Sequence, residues 1–173
     1  MILQENQRVN MVVRGLMFKD DHLLATQWRT HGESFAIGGR VEFGEPLVEA
    51  LPREVREETG AEITIHKLLY FSENIFTSRG GVQYHEYGWY FLVEPDRNIC
   101  ALDENIPNPD HPDLVIRYLK ADAAGLHNFW PRFIRRYLPA DLAQGFAQNP
   151  RYVYSYDQRN REVIIQEPGI LFE

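Results

Sequence analysis

Apolar positions along this chain fall into short dense runs and two helical stripes. Val9 to Phe18 is rich in Val, Met and Leu, and after the charged turn Lys19-Asp20-Asp21 comes a second run, Leu23 to Trp28. Two such runs around a short polar turn predict paired strands. Ser34 to Ile37 is too short to classify alone, and Gly38-Gly39 ends it with permissive backbone, which predicts a loop into the next segment. Ile63 to Phe71 and Tyr84 to Val93 predict two more strands, with Ser72 to Gly81 as the loop between them. Asp103 to Asp113, with its prolines and acidic residues, predicts an exposed loop. Leu114 to Leu119 predicts a short strand, followed by a small turn or helix over Asp122 to Leu126. Tyr152 to Tyr156, the polar turn Asp157 to Asn160 and Val163 to Ile165 predict a hairpin.

Glu45-Pro46 predicts a helix start, because proline at the first helical position gives up an amide that has no partner there. Leu47, Val48, Leu51 and Val55 then share one arc, with Glu54 and Glu58 four apart beside it and Glu57 three beyond Glu54. Gly60 is placed to end the helix as a left-handed cap. Pro52 deletes the bond to residue 48 and predicts a kink or opened turn before Arg53. A second amphipathic helix is predicted over Asn128 to Leu138, with Pro131 near its start and Arg132, Arg135 and Arg136 left for solvent or an anionic neighbour.

At 173 residues and 44% hydrophobic, the chain supports one substantial core, so a single domain over 1–173 is expected. No repeat, heptad series or linker divides it. Twenty-five acidic against eighteen basic residues give a net charge of -7 with no basic tract, which argues against DNA as a partner. A small anionic substrate remains compatible, because a bound divalent cation reverses the local potential. The start of the chain lacks the basic and apolar regions of a signal peptide, no stretch approaches a membrane span, and the single Cys100 cannot pair internally. These features predict a cytoplasmic protein without membrane partners.

The acidic segment carries the chemistry. Carboxylates as dense as Glu54, Glu57 and Glu58 repel one another, so their retention on one helix points to a cation, and Mg²⁺ prefers carboxylate oxygen. The bland reading is a solvated charged face, with Arg53 pairing to Glu57 four residues on. Gly39, Glu45, Arg53, Glu54, Val55, Glu57, Glu58 and Gly60 match the spacing G-x5-E-x7-R-E-U-x-E-E-x-G-U, where U is aliphatic. In this the chain resembles the Nudix hydrolases. Ala61 is smaller than the usual final aliphatic, and Pro52 is unusual before the Arg-Glu pair.

The resemblance extends more loosely over about 9–138, leaving a C-terminal extension, 139–173, without a family signal. It implies an α/β/α sandwich with a mixed β-sheet. It also implies hydrolysis of a phosphoanhydride in a nucleoside diphosphate linked to another moiety, with Mg²⁺ or Mn²⁺ as cofactor. By the same resemblance Glu54, Glu57 and Glu58 are metal ligands, Glu54 is the nearest acceptor for a proton from water, and the Gly39 carbonyl adds a ligand. Glu45 and Arg53 then brace the loop against the helix.

Other candidates keep two readings each. Glu86, on an apolar strand, is a further metal ligand or base, or else a rim or salt-bridge residue; Glu73 is its weaker rival, and His85 points the opposite way. Arg29 and Arg40 are phosphate clamps or surface charges. Trp28, Phe35 or Tyr90 stack on a nucleobase or belong to the core. The loop from Asn74 to Gly81 closes over a ligand, with Arg79 on phosphate, or merely connects strands. Cys100 is expected to be inert. A non-catalytic nucleotide-sensing or RNA-associated module would have lost a carboxylate, and none is missing. A diphosphate isomerase needs further proton-transfer residues that the sequence does not supply. Either a monomer or a homodimer fits.

Overall fold

The computed structural model describes residues 4–78, 80–158 and 161–166. Its elements run β1 (Gln7–Leu16), β2 (Phe18–Lys19), β3 (His22–Trp28), β4 (Ser34–Arg40), α1 (Leu47–Thr59), β5 (Ile63–Thr77), β6 (Gln83–Pro95), β7 (Asn105–Pro107), β8 (Leu114–Lys120), α2 (Arg132–Ala143), β9 (Arg151–Gln158) and β10 (Arg161–Gln166). The strands order as β10-β9-β5-β6-β1-β4-β3-β8-β7, with β2 on β3. β1 pairs parallel with β6 and β5 parallel with β9, while the other pairings are antiparallel. The fold is therefore an α/β/α arrangement with a mixed sheet between two helices.

Strand alternation sorts the core into two layers. Leu16, Tyr70 and Tyr90 pack with Phe133, Ile134 and Leu138 of α2, while Val13, Ile37 and Val93 pack with Leu51 and Val55 of α1. Among the described residues no helix is long and apolar enough to cross a membrane.

Several expectations change. Gly38 and Gly39 do not end a strand; both lie inside β4, paired with Arg14 and Val13 of β1. Gly38 has φ 124°, and a Cβ there would overlap the Val13 carbonyl, so glycine is required by the approach of β1. The loop into α1 begins only at Val41. Pro46 caps α1 in extended conformation, one place before the first helical residue, and Gly60 closes it left-handed with its N–H on the Arg56 carbonyl at 2.8 Å. The helix runs on through Pro52. Val48 is 63% exposed, whereas Ala50 takes the buried place expected of it. At 100° per residue Glu54 and Glu58 fall within the arc set by Ala50, Leu47, Leu51 and Val55, so both carboxylates are turned toward the sheet.

The Ser72 to Gly81 loop is mostly strand, because β5 continues to Thr77 against β6. The polar residues that made it look like a loop instead alternate across the two faces of the sheet. A short strand, β7, interrupts the expected 103–113 loop by pairing with β8. The C-terminal strands β9 and β10 form the predicted antiparallel pair, although residues 159 and 160 of its turn lie outside those described.

β9 is docked by a buried charge pair. Asp141 of α2, 1% exposed, accepts the Tyr70 hydroxyl at 2.8 Å and the Arg151 Nε at 2.8 Å, and pairs with Arg151 Nη2 as well. Removing one partner strands the other without water. Asp141→Ala is expected to lower the unfolding free energy by about 3–5 kcal/mol, read from urea denaturation; a loss below 1 kcal/mol would mean that the pair does not hold β9.

Candidate functional site

One guanidinium ties the acidic segment together. Arg53 donates from Nε and Nη2 to Glu45 Oε1 and Oε2 at 2.7 and 2.8 Å, from Nη1 to Glu54 Oε1 at 2.9 Å and Glu57 Oε2 at 3.2 Å, and from Nη2 to the Arg40 carbonyl at 3.1 Å. The two-pronged geometry toward Glu45 suits the planar fork of arginine and would be lost with lysine. Beside that guanidinium the Glu45 carboxyl is held down at about 2, and Glu45 in turn raises the pKa of Arg53. Glu45 Oε2 also accepts the Glu42 amide at 3.0 Å, so the loop before α1 is fixed at two points.

The three helix glutamates do not share one environment. Glu57 is largely exposed, its side chain 53% accessible, whereas that of Glu54 is 14% accessible and packs against Gly39, where a Cβ would overlap its carboxylate. Glu58 is half-buried and accepts the Thr26 hydroxyl at 3.3 Å. Burial pushes its carboxyl up from the ordinary 4.5 to about 7; the Arg14 charge opposes this rise, while Glu54 and Asp110 add to it. Glu54 and Glu58 thus repel each other beneath the sheet edge, which is the electrostatic condition a cation would relieve.

Among the described residues no group of three or more His, Cys, Asp or Glu side chains is arranged to hold a metal ion. The donors nevertheless suit a hard ion, since Mg²⁺ keeps several waters and is commonly held by one or two carboxylates plus substrate phosphate. Glu54 and Glu58 are the two carboxylates that could hold such an ion, and Glu57 is tied with Glu54 to the same Arg53.

A cavity of about 590 Å³ opens on the other side of the sheet edge, walled by Arg14, Phe35, Glu86, Tyr90, Trp130 and Arg132. None of Glu54, Glu57 and Glu58 lines it. Arg14 belongs to both places: it borders the cavity, donates to the carbonyls of Ala36 (3.1 Å) and Gly38, and acts electrostatically on Glu58.

The remaining sequence candidates separate clearly. Glu86 faces the cavity and accepts Asn10 Nδ2 at 3.4 Å. Glu73 lies on the opposite face, bound to His85 at 2.6 Å and to the Tyr152 hydroxyl at 2.7 Å. Arg29 and Arg40 are exposed and lie outside the cavity lining; Arg40 contributes its carbonyl to Arg53. Phe35 and Tyr90 line the cavity, whereas Trp28 packs at a tilt against His31 and edge-on against His111 instead. Asn74 and Phe76 reach the cavity from a paired strand, not from a closing loop, and Arg79 lies outside the described residues. Cys100 is buried, and burial pushes its thiol up.

Sequence reasoning missed Arg14 and Trp130, and it left Arg132 to solvent or an anionic neighbour without tying it to this cavity. Arg14 did carry a signal, a lone cation inside the apolar run Val12-Val13-Arg14-Gly15-Leu16. Trp130, 37% exposed with the Arg132 guanidinium 4.6 Å from its ring centre, carried none, because its helical neighbours are ordinary core residues.

The NUDIX domain family matches residues 8–140. No curated protein matches the chain. Among solved structures, the mutator MutT protein from Bacillus halodurans is similar at 18% identity and TM-score 0.64, over 93% of this chain and 99% of that one. A NUDIX hydrolase from Nitrosomonas europaea is similar at 20% identity and TM-score 0.55, over 80% and 90%. An ADP-ribose pyrophosphatase from Streptococcus suis is similar at 13% identity and TM-score 0.50, over 86% and 98%. At these identities the likeness is one of fold.

Glu58 generates a pH dependence of stability. Because folding raises its pKa from 4.5 to about 7, the folded chain holds this proton more tightly than the unfolded chain. The stability it contributes is present below pH 4.5 and is lost as pH rises through about 7. Glu58→Gln, permanently neutral, is expected to flatten that slope and to stabilise the metal-free protein at pH 8 by about 2 kcal/mol, after allowing for its partial exposure. Urea denaturation in chelator at pH 5 and pH 8 reads both; an unchanged slope refutes the assignment.

Proposed function

Because the chain belongs to the NUDIX domain family, whose hydrolases act on phosphoanhydride-type substrates, we propose that it cleaves a nucleoside diphosphate linked to another moiety, by divalent-metal-dependent attack of water on phosphorus. The observation that carries this reading is the Glu54–Glu58 pair: two mutually repelling carboxylates turned toward the sheet, one of them desolvated enough to titrate near 7. Such an arrangement costs stability unless a cation offsets it. We assign the whole activity to one domain, 1–173, with its core over about 9–138.

Glu54, Glu57 and Glu58, with the Gly39 carbonyl, would hold Mg²⁺ or Mn²⁺. When bound, the cation would neutralise charge on the diphosphate and make water a stronger acid. Arg53 keeps Glu54 and Glu57 oriented and anchors the preceding loop through Glu45. Glu54, whose carboxylate lies against Gly39, would accept the proton from the attacking water. Among the described residues Arg14, which borders the cavity and acts on Glu58, is assigned to a phosphate oxygen in preference to Arg29 or Arg40, which lie outside the cavity lining.

The nucleotide-sensing alternative draws on one observation, that the three glutamates are not gathered around a single point among the described residues. The same experiment separates the two. Glu57→Gln and Glu58→Gln are expected to fold and to lose metal-dependent turnover by at least ~100-fold, the scale of removing one electrostatic contribution at a reacting centre. A panel of nucleotides, nucleotide sugars and dinucleoside polyphosphates with Mg²⁺ or Mn²⁺, its products identified by mass, reads the loss. Full activity in both variants defeats the hydrolase reading, and nucleotide binding without turnover in the wild type favours the sensor.

A further inference from the structure

Four strands place hydrogen-bonding side chains at one register on the cavity face of the sheet. Asn10 of β1 stands opposite Glu86 of β6, Glu86 opposite Asn74 of β5, and Asn74 opposite Ser155 of β9. Glu86, Asn74 and Ser155 line the cavity, and the latter two are almost wholly buried. On one side of this row Phe76 stacks on Tyr84 with ring centres 5.2 Å apart, and Phe35, Tyr90 and Trp130 supply the other apolar walls. A polar strip between aromatic walls fits a flat heterocycle whose edge must be satisfied and whose faces need not be.

The hydrogen bonds within the row define what it offers. The Ser155 hydroxyl donates to Asn74 Oδ1, and Asn74 Nδ2 donates to Ser72 Oγ at 3.2 Å. An amide nitrogen carries two hydrogens, so the inventory leaves one Nδ2 hydrogen beyond the bond to Ser72. Glu86 takes Asn10 on Oε2, and a carboxylate has acceptor capacity well beyond one bond. The row therefore presents an anionic acceptor next to a donor. Glu86 lines this cavity and none of the helix glutamates does, which separates it from the acidic helix.

We propose that Glu86 and Asn74, fixed by Ser155, read the edge of a nucleobase that bears an amino group, so that adenine, guanine and cytosine nucleotides bind in preference to uracil and thymine nucleotides. This rests on the reading of the substrate as nucleotide-derived. In adenine and cytosine the exocyclic amino group donates to Glu86 while the adjacent ring nitrogen accepts from Asn74. In guanine the ring N–H and amino group donate while the neighbouring carbonyl accepts. Uracil and thymine can also set their ring N–H on Glu86 and one carbonyl on Asn74, but their second carbonyl then falls where guanine carries its amino group and faces the Glu86 carboxylate, acceptor against acceptor. Ser155 lies beyond residue 140, where the family match ends, so the strand that completes this strip is outside that match.

Equilibrium dialysis of AMP, GMP, CMP and UMP against the metal-free protein in chelator tests the proposal without turnover. The first three are expected to bind at least ~10-fold more tightly than UMP. Glu86→Gln, which adds a donor at nearly constant size, is expected to shrink that gap to less than ~3-fold, and Asn74→Ala to weaken all three amino-bearing nucleotides. Thermal melts confirm that both variants fold, and should Asn74→Ala fail to fold, Glu86→Gln and the wild-type ranking still decide. Equal binding of UMP in the wild type, or a preference that Glu86→Gln leaves intact, overturns the assignment. Because no metal or hydrolysis is involved, these results and the glutamate variants of α1 can fail independently.

Discussion

The four-way engagement of Arg53 is the constraint on which the acidic site depends. Its guanidinium joins the loop carboxylate Glu45, the helix carboxylates Glu54 and Glu57 and the last carbonyl of β4, at Arg40. Three consecutive segments, the end of β4, the loop after it and α1, are thereby held at hydrogen-bond distances by one rigid planar group. Without it, Glu54 and Glu57 would repel each other across one helical turn, and the Glu45 carboxylate would keep the Glu42 amide but lose both of its guanidinium bonds. The glycines of β4 complete the arrangement from the other side, since Gly38 admits the Val13 carbonyl and Gly39 admits the Glu54 carboxylate.

The sheet divides the functional chemistry into two compartments. The acidic pair lies under α1, and the aromatic cavity lies on the face toward α2, where Tyr90 touches both the core and the cavity lining. Arg14 bridges them because it leaves β1 near the point where β4 passes from β1 to β3, and its guanidinium caps carbonyls of β4 there. A substrate with phosphate at one end and a heterocycle at the other matches that division.

Legibility varied with how local the determining physics was. The helix α1, its glycine cap and its glutamates could be read directly, because capping and helical phase depend on neighbours within a few residues. Pro52 was harder to weigh: it threatened the helix locally, yet packing of Leu51 and Val55 against the sheet holds the rod together. Gly38-Gly39 read as a stop and proved to be strand, because the requirement they meet is a close approach by β1 that is remote in sequence. Ser72, Asn74 and Thr77 read as loop for the complementary reason, that polar residues on a strand lining a cavity imitate turn composition.

By itself the sequence determined the acidic helix, through capping and periodicity, and the family resemblance, through the spacing of its motif, and the mixed α/β class was what that resemblance implied; none of these needs a tertiary contact to be recognised. Only the tertiary structure decided how the carboxylates differ: Glu57 outward, Glu54 pinned, Glu58 half-buried and hard to ionise. It also decided that Glu86 shares a register with Asn74 and Ser155 apart from the helix, and that Arg14, not Arg29 or Arg40, stands between the two compartments. Burial and cross-strand register arise from pairing between distant segments, and neither leaves a mark on the local pattern of residues.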